Sequence, residues 1–190
     1  MKANHTSQKY RLETDIAKNY PVQIAAQKEQ IAGLRADREA VKPILEEKEK
    51  DNFSMMIGGK TYTDRKEAGT AILAACAGLK AVKSNGQIGE FHGFSLNASY
   101  DSFYQTYKLT IKRQCSYQIE IGKDVLGNLQ RISNALTGIE KRLTEAEQKM
   151  ENLLSQLATA QEEVEKPFPK EAELTEKMER LAELNSLLNM

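Results

Sequence analysis

Apolar residues recur along the C-terminal third of the chain with spacings that alternate between four and three. They are Val125, Leu129, Ile132, Leu136, Ile139, Leu143, Ala146, Met150, Leu153, Leu157, Ala160 and Val164. Charged residues such as Glu140, Lys141, Arg142, Glu145, Glu147, Lys149 and Glu151 fill the gaps. This is a heptad seam with a solvated opposite face, and it predicts one unbroken helix over 125–165, about 60 Å long at ~1.5 Å per residue. Such a seam needs a partner. The same period appears near the N-terminus in Tyr20, Ile24, Ile31, Leu34, Val41 and Leu45, with Gln27 and Arg38 as polar interruptions. Pro21 suits a first helical turn, which predicts a chain break at Asn19-Tyr20 and a short separate helix over about 7–18. Pro43 predicts a kink or the end of the regular part.

Between the two seams the period changes to two. Phe94, Leu96, Ala98 and Tyr100 alternate with Ser95, Asn97 and Ser99. Over 103–113, Tyr107, Leu109 and Ile111 alternate with Tyr104, Thr106, Lys108, Thr110 and Lys112, and Tyr117, Ile119 and Ile121 mark a further strand. Glycines at 89 and 93 predict a bend or bulge. A helix over 64–82 carries Ala68, Ile72, Cys76 and Leu79 on one face, with Asp64 and Glu67 spaced as a capping box. The expected class is therefore α+β: a small antiparallel sheet with one packed helix, carried on a long antiparallel helical hairpin of coiled-coil type. Pro167-Phe168-Pro169 ends the long arm. A last helix over about 170–189, with Leu174, Met178, Leu181, Leu184 and Leu188, is expected to fold back onto the N-terminal helix as a short terminal bundle. The expected divisions are an N-terminal arm (1–51), an α+β head (52–123) and a long heptad helix plus C-terminal helix (124–190).

The stretch FSMMIGGKTYTDRKEAG contains Gly59-Lys60-Thr61, the ending of a phosphate-binding loop. That loop needs a glycine five residues earlier so that its backbone can wrap a phosphate, and Ser54 stands there. Strand residues Met55, Met56 and Ile57 intervene, so the stretch reads as a hairpin turning at Gly58-Gly59. No nucleophile elbow, Cys–His pair, metal-ligand cluster or Asn/Asp-Pro-Pro-Tyr turn for a flipped base is present, so no catalytic residue and no cofactor is expected.

Composition narrows the picture further. Lysine plus arginine and aspartate plus glutamate number 27 each, which excludes a global field for nucleic acid or membrane. Within 53–123, however, nine bases face five acids. The candidate binding face is Tyr104, Lys108 and Lys112, with Arg113 and Lys123 nearby, a basic strand face with an aromatic residue that suits phosphate tracking and base stacking. The competing reading is a solvated outer sheet face whose lysines protect an edge. Cys76 and Cys115 are expected as free thiols in a reducing compartment. No apolar leader or spanning run is seen, so the expectation is a cytoplasmic chain, monomeric, without membrane contact.

FSMMIGGKTYTDRKEAGTAIL, IGEFHGFSL, GNLQRISNAL and KPFPKEAEL together resemble the C-terminal region of very large helicase/DNA-methylase polypeptides of conjugative elements and phages, including antirestriction proteins of the DarB type. The resemblance runs from about Asp15 to the end. It implies a non-catalytic accessory module whose partners are the helicase and methylase domains of a parent polypeptide and, weakly and non-specifically, DNA. The motor and methylase motifs of that family are not in this chain. The alternative expectation is a purely structural interaction module that binds no nucleic acid.

Overall fold

A computed structural model describes residues 2–46, 53–81, 85–167 and 169–188. They divide into two compact units, Gln27–Gln148 and a second made of Met1–Ala26 with Lys149–Met190. The first contains a six-stranded antiparallel sheet in the order β2-β1-β3-β4-β5-β6. Strands β1 (Met55–Ile57) and β2 (Lys60–Tyr62) form the expected hairpin. Gly58 and Gly59 take φ of +58° and +78°, the left-handed pair that a two-residue turn demands. Helix α3 (Arg65–Ala81) follows, and the Asp64 carboxylate caps it by accepting from the Glu67 N–H at 2.8 Å. Strands β3 (Gly86–Phe91), β4 (Phe94–Asp101), β5 (Thr106–Lys112) and β6 (Ser116–Ile121) then follow as consecutive hairpins. The expected irregularity in β3 is a register shift between Gln87 and Gly89, and Gly93 lies in the β3–β4 turn.

Alternation sets the two faces of this sheet. Phe94, Leu96, Ala98, Leu109, Ile111, Tyr117 and Ile121 are buried on one side together with Ala68, Ile72 and Cys76 of α3. Sequence periodicity predicts one helix on this face; the structure adds a second, α4 (Val125–Thr137), which packs on both α3 and β6. Leu129, Ile132 and Leu136 are buried in this helix, so the first part of the seam also serves the packing on α3 and the sheet. Two side chains fix the entry to α4. Asp124 accepts from the Leu126 and Gly127 N–H groups, and buried Asn128 exchanges hydrogen bonds with both backbone groups of Gly122, at 2.8 and 2.9 Å.

The helix expected to run unbroken over 125–165 is interrupted at Gly138, between α4 and α5 (Ile139–Glu165). The carbonyl of Asn134 there accepts from both the Gly138 N–H and the Thr137 hydroxyl, a local competition that bends helices. Beyond it, α5 runs antiparallel to α2 (Tyr20–Glu46), and Ile31, Leu34, Val41, Ile139, Leu143 and Ala146 are buried. Both polar interruptions of the α2 seam are connectors. Gln27, itself buried, donates to the mid-helix carbonyl of Ala146 at 2.9 Å, and Arg38 reaches Glu140 at 3.7 Å. The α2 helix continues through Pro43 to Glu46, where the described residues stop, so the expected end of the helix at the proline is not seen.

One buried residue escapes the periodicity. Asp37 of α2 has no exposed surface, and its carboxylate reaches the β5–β6 turn. It accepts from the N–H of Gln114 (3.0 Å), the N–H of Cys115 (2.8 Å) and the hydroxyl of Tyr117 (2.8 Å). The approach is close because Gly33 carries no side chain; a Cβ there would stand 2.9 Å from the Cys115 sulfur. The Tyr117 ring also meets the edge of Phe94 at 6.3 Å and the Arg142 guanidinium of α5 at 5.1 Å. One aromatic residue thus joins β6 to β4, α2 and α5.

In the second unit, α1 (Lys2–Thr14) passes through a π-helical turn, Asp15–Asn19, straight into α2. The expected break at Asn19-Tyr20 is absent. Pro21 lacks an N–H and would crowd the carbonyl four residues back, and the wider turn, closed by Tyr20 N–H on Asp15 O, accommodates it. Leu153 and Ala160 of the α5 seam are buried. The expected terminal bundle is not formed by the C-terminal helix α6 (Glu171–Leu188): Met178, Leu181, Leu184, Leu187 and Leu188 all remain exposed. Phe168, part of the Pro-Phe-Pro signal, lies outside the described residues.

Two outcomes follow from the Asp37 contact. Asp37→Ala strands three donors at once and should destabilise the protein by about 2–4 kcal/mol in urea unfolding, whereas Tyr117→Phe should cost about 1 kcal/mol. Burial, with the Asp37 hydrogen bond second, pushes the Tyr117 phenol above its ordinary value of 10.0. The folded state keeps this proton where the unfolded chain loses it, so this contribution is present below pH 10 and falls as pH rises beyond it. The melting temperature should drop between pH 9 and 11, and by less in Tyr117→Phe.

Candidate nucleic-acid interface

The outer face of the sheet is built from short polar side chains. Three cross-strand rows can be followed: Glu90–Ser95–Lys112–Ser116, Gln87–Asn97–Thr110–Gln118 and Ser99–Lys108–Glu120. All are half-buried to exposed. Hydroxyls and amides dominate, and few carboxylates interrupt them.

The five residues singled out from the sequence do not gather at one place. Lys108 and Lys112 share the outer face as expected, since they are four apart in β5. Tyr104 is not on the strand. It belongs to the β4–β5 turn, because Asp101 folds the chain there by accepting from the N–H groups of Phe103 and Tyr104, both at 3.1 Å, and Gln105 takes a φ of +55°. The Tyr104 ring nevertheless stays within reach of Lys108, whose ammonium lies 6.0 Å from its centroid. Arg113, in the β5–β6 turn, directs its guanidinium over the ring of Phe94 at 5.9 Å, toward the core side. Lys123 follows β6, and the pairing of Ile121 with Tyr107 puts it at the Tyr104 end of the sheet, opposite to Lys112 and Arg113.

Electrostatics separate these cations further. Lys108 is committed to Asp101 at 2.9 Å, and Glu120 stands across the strand. The hydrogen bond from Lys108, with the Tyr104 N–H adding, holds the Asp101 carboxyl below its ordinary value, while Asp101 in turn raises Lys108. Lys112 and Lys123 have no ion-pair partner among the described residues and are exposed.

Residues beyond the expected set complete the Tyr104 end. Phe103 is 84% exposed and meets Tyr104 edge-on at 4.9 Å. Behind the turn, Tyr100 and Tyr107 lie 5.1 Å apart, and the Lys80 ammonium caps Tyr100 at 4.4 Å. Reading 103–113 as one strand hides this cluster. The signal that could show it is Asp101 followed by Ser102, a pair that starts turns.

Reactive chemistry finds no support in the thiols. Burial pushes the Cys76 thiol up to about 11, and burial with the neighbouring Asp37 raises Cys115, so neither favours a thiolate. Among the described residues, no group of three His, Cys, Asp or Glu is placed to hold a metal ion, and no helix is long and apolar enough to cross a membrane. Compared with protein-family models, curated proteins and solved structures, the chain matches none.

The Gly59-Lys60-Thr61 stretch is committed to the sheet. The Gly58 N–H donates to Ile88 O at 2.8 Å, and Lys60 lies over the Tyr62 ring at 4.8 Å. A phosphate cradle needs such amides free. Isothermal calorimetry with Mg-ATP should therefore show no binding heat; micromolar affinity abolished by Lys60→Ala would contradict this geometry.

Proposed function

We propose that this chain is a non-catalytic accessory module that lets a DNA-processing helicase or methylase make weak contact with DNA. The observation that carries the reading is the uncovered outer sheet face, lined with hydroxyl and amide groups and ended by the uncommitted cations Lys112 and Lys123. Same-face residues repeat about every 6.5–7 Å along a strand, which is close to the phosphate spacing of a nucleic-acid strand. The resemblance of FSMMIGGKTYTDRKEAGTAIL and its companion stretches to the tails of helicase/DNA-methylase polypeptides supports the same reading. With so few free cations, affinity stays near the non-specific range, roughly 10⁻⁴–10⁻⁶ M at physiological salt. Tethering to a motor would then supply the effective concentration.

The second reading is a structural interaction module without nucleic acid. It rests on α6, whose leucines face water along much of the helix.

Fluorescence anisotropy with a labelled duplex across a salt series separates the two, because phosphate contacts release counterions. Wild type should show a shallow salt slope. The Lys112→Glu, Lys123→Glu double variant should lose most binding, with an unchanged melting temperature. Its salt slope should be shallower by about 0.9 for every duplex phosphate that the two lysines neutralise in wild type. Lys108 is left intact because its charge holds the Asp101 turn. No binding at low salt, or equal binding by the double variant, would favour the interaction module.

A further inference from the structure

We propose that the Phe103–Tyr104 turn is a stacking site for unpaired bases, which makes single-stranded DNA the preferred ligand of this module; the proposal rests on the DNA reading above. Folding does not account for Phe103. A ring that is 84% exposed contributes little apolar burial, and a turn position is open to small polar residues. The turn is nonetheless fixed. One carboxylate, Asp101, holds the Phe103 N–H, the Tyr104 N–H and the Lys108 ammonium together. The two rings meet edge-on at 4.9 Å, so each braces the other while both present ring faces to solvent. Preorganised aromatic faces lower the entropy cost of stacking.

The surroundings select a nucleic acid over a protein groove. Lys108, paired with Asp101, lies over the Tyr104 ring, and Lys123 stands exposed at the same end of the sheet, so a cation is at hand for the sugar–phosphate of a stacked nucleotide. Asp101 does not oppose this placement strongly, since its oxygens are already engaged by two backbone N–H groups and an ammonium. The turn also lies at the end of the sheet away from the β5–β6 turn that Asp37 of α2 grips, which leaves it open for a ligand. In a duplex the base faces are already stacked on each other and cannot reach these rings. In a single strand each base has a free π-face, and each stack contributes enough to outweigh the loss of a few phosphate contacts.

The test uses the full chain, with a fluorescein-labelled oligo-dT and a duplex of equal length at low salt. Phe103→Ala should weaken oligo-dT binding about tenfold and leave duplex binding unchanged. The chain contains no tryptophan, so Phe103→Trp places a single indole at the turn. Its emission should be quenched on saturation with oligo-dT and not with duplex, at wild-type affinity. If Phe103→Ala binds oligo-dT as wild type does, or if the indole does not respond, stacking is wrong. The DNA reading survives that result provided Lys112→Glu, Lys123→Glu still loses duplex binding. If wild type binds neither DNA, both readings fall and the exposed rings mark a protein-docking turn.

Discussion

The Asp37 side chain buries two oxygens between a helix and the β5–β6 hairpin, whose turn and second strand supply the donors that satisfy them. Two backbone N–H groups and a phenol converge on it from a segment roughly eighty residues further along the chain. A buried polar group without partners costs several times what a satisfied one contributes, so the contact acts more as a filter than as a glue. Any sliding of α2 along its apolar seam leaves the carboxylate unpaired. Leucine and valine contacts alone permit such slips, because one heptad resembles the next. Gly33 and Tyr117 serve the same purpose: one allows the close approach, the other closes the third hydrogen bond while bridging Phe94 and Arg142.

That constraint organises the rest of the unit around two ends of the sheet. At one end the β5–β6 turn is gripped by the helix, and Arg113 folds over Phe94. At the other lie the β4–β5 turn, Lys123 and the start of α4, held by short-range bonds from Asp101, Asp124 and Asn128. The first end is specified by contacts distant in sequence and the second by bonds between near neighbours along the chain. A surface shaped by local bonds can change its side chains without disturbing the helical packing, which suits a binding surface.

Periodicity makes much of the fold legible. Alternation identifies β4, β5 and β6 and their inner face, the Gly-Gly turn follows from composition and steric rules, and the seam positions of α5 are largely buried as expected. The failures have physical causes. Leu129, Ile132 and Leu136 continue a heptad, yet their helix packs on α3 and β6, because a helical apolar stripe does not encode what covers it. Asp37 reads as an ordinary exposed acid unless its donors are known. The π-helical turn before Pro21 and the interruption at Gly138 are backbone adjustments of a single residue, too fine for a pattern to register. The candidate site is half legible: Lys108 and Lys112 share a face, but Tyr104 and Phe103 sit on a turn that Asp101 creates, and Arg113 turns away.

The arrangement of strands also separates short-range pairings from long-range ones. Strands β3 to β6 are consecutive hairpins whose partners are close in sequence, so loop closure costs little and the sheet can form early. The helical pairing is different. Gln27 bonds a carbonyl 119 residues away, and Asp37 waits for a turn 77 residues away. During synthesis at roughly 5–20 residues per second, α2 leaves the ribosome on the order of ten seconds before α5. For that interval its apolar seam has no native cover. The α2 seam therefore waits, amphipathic and without its α5 partner, until the second half of the seam emerges.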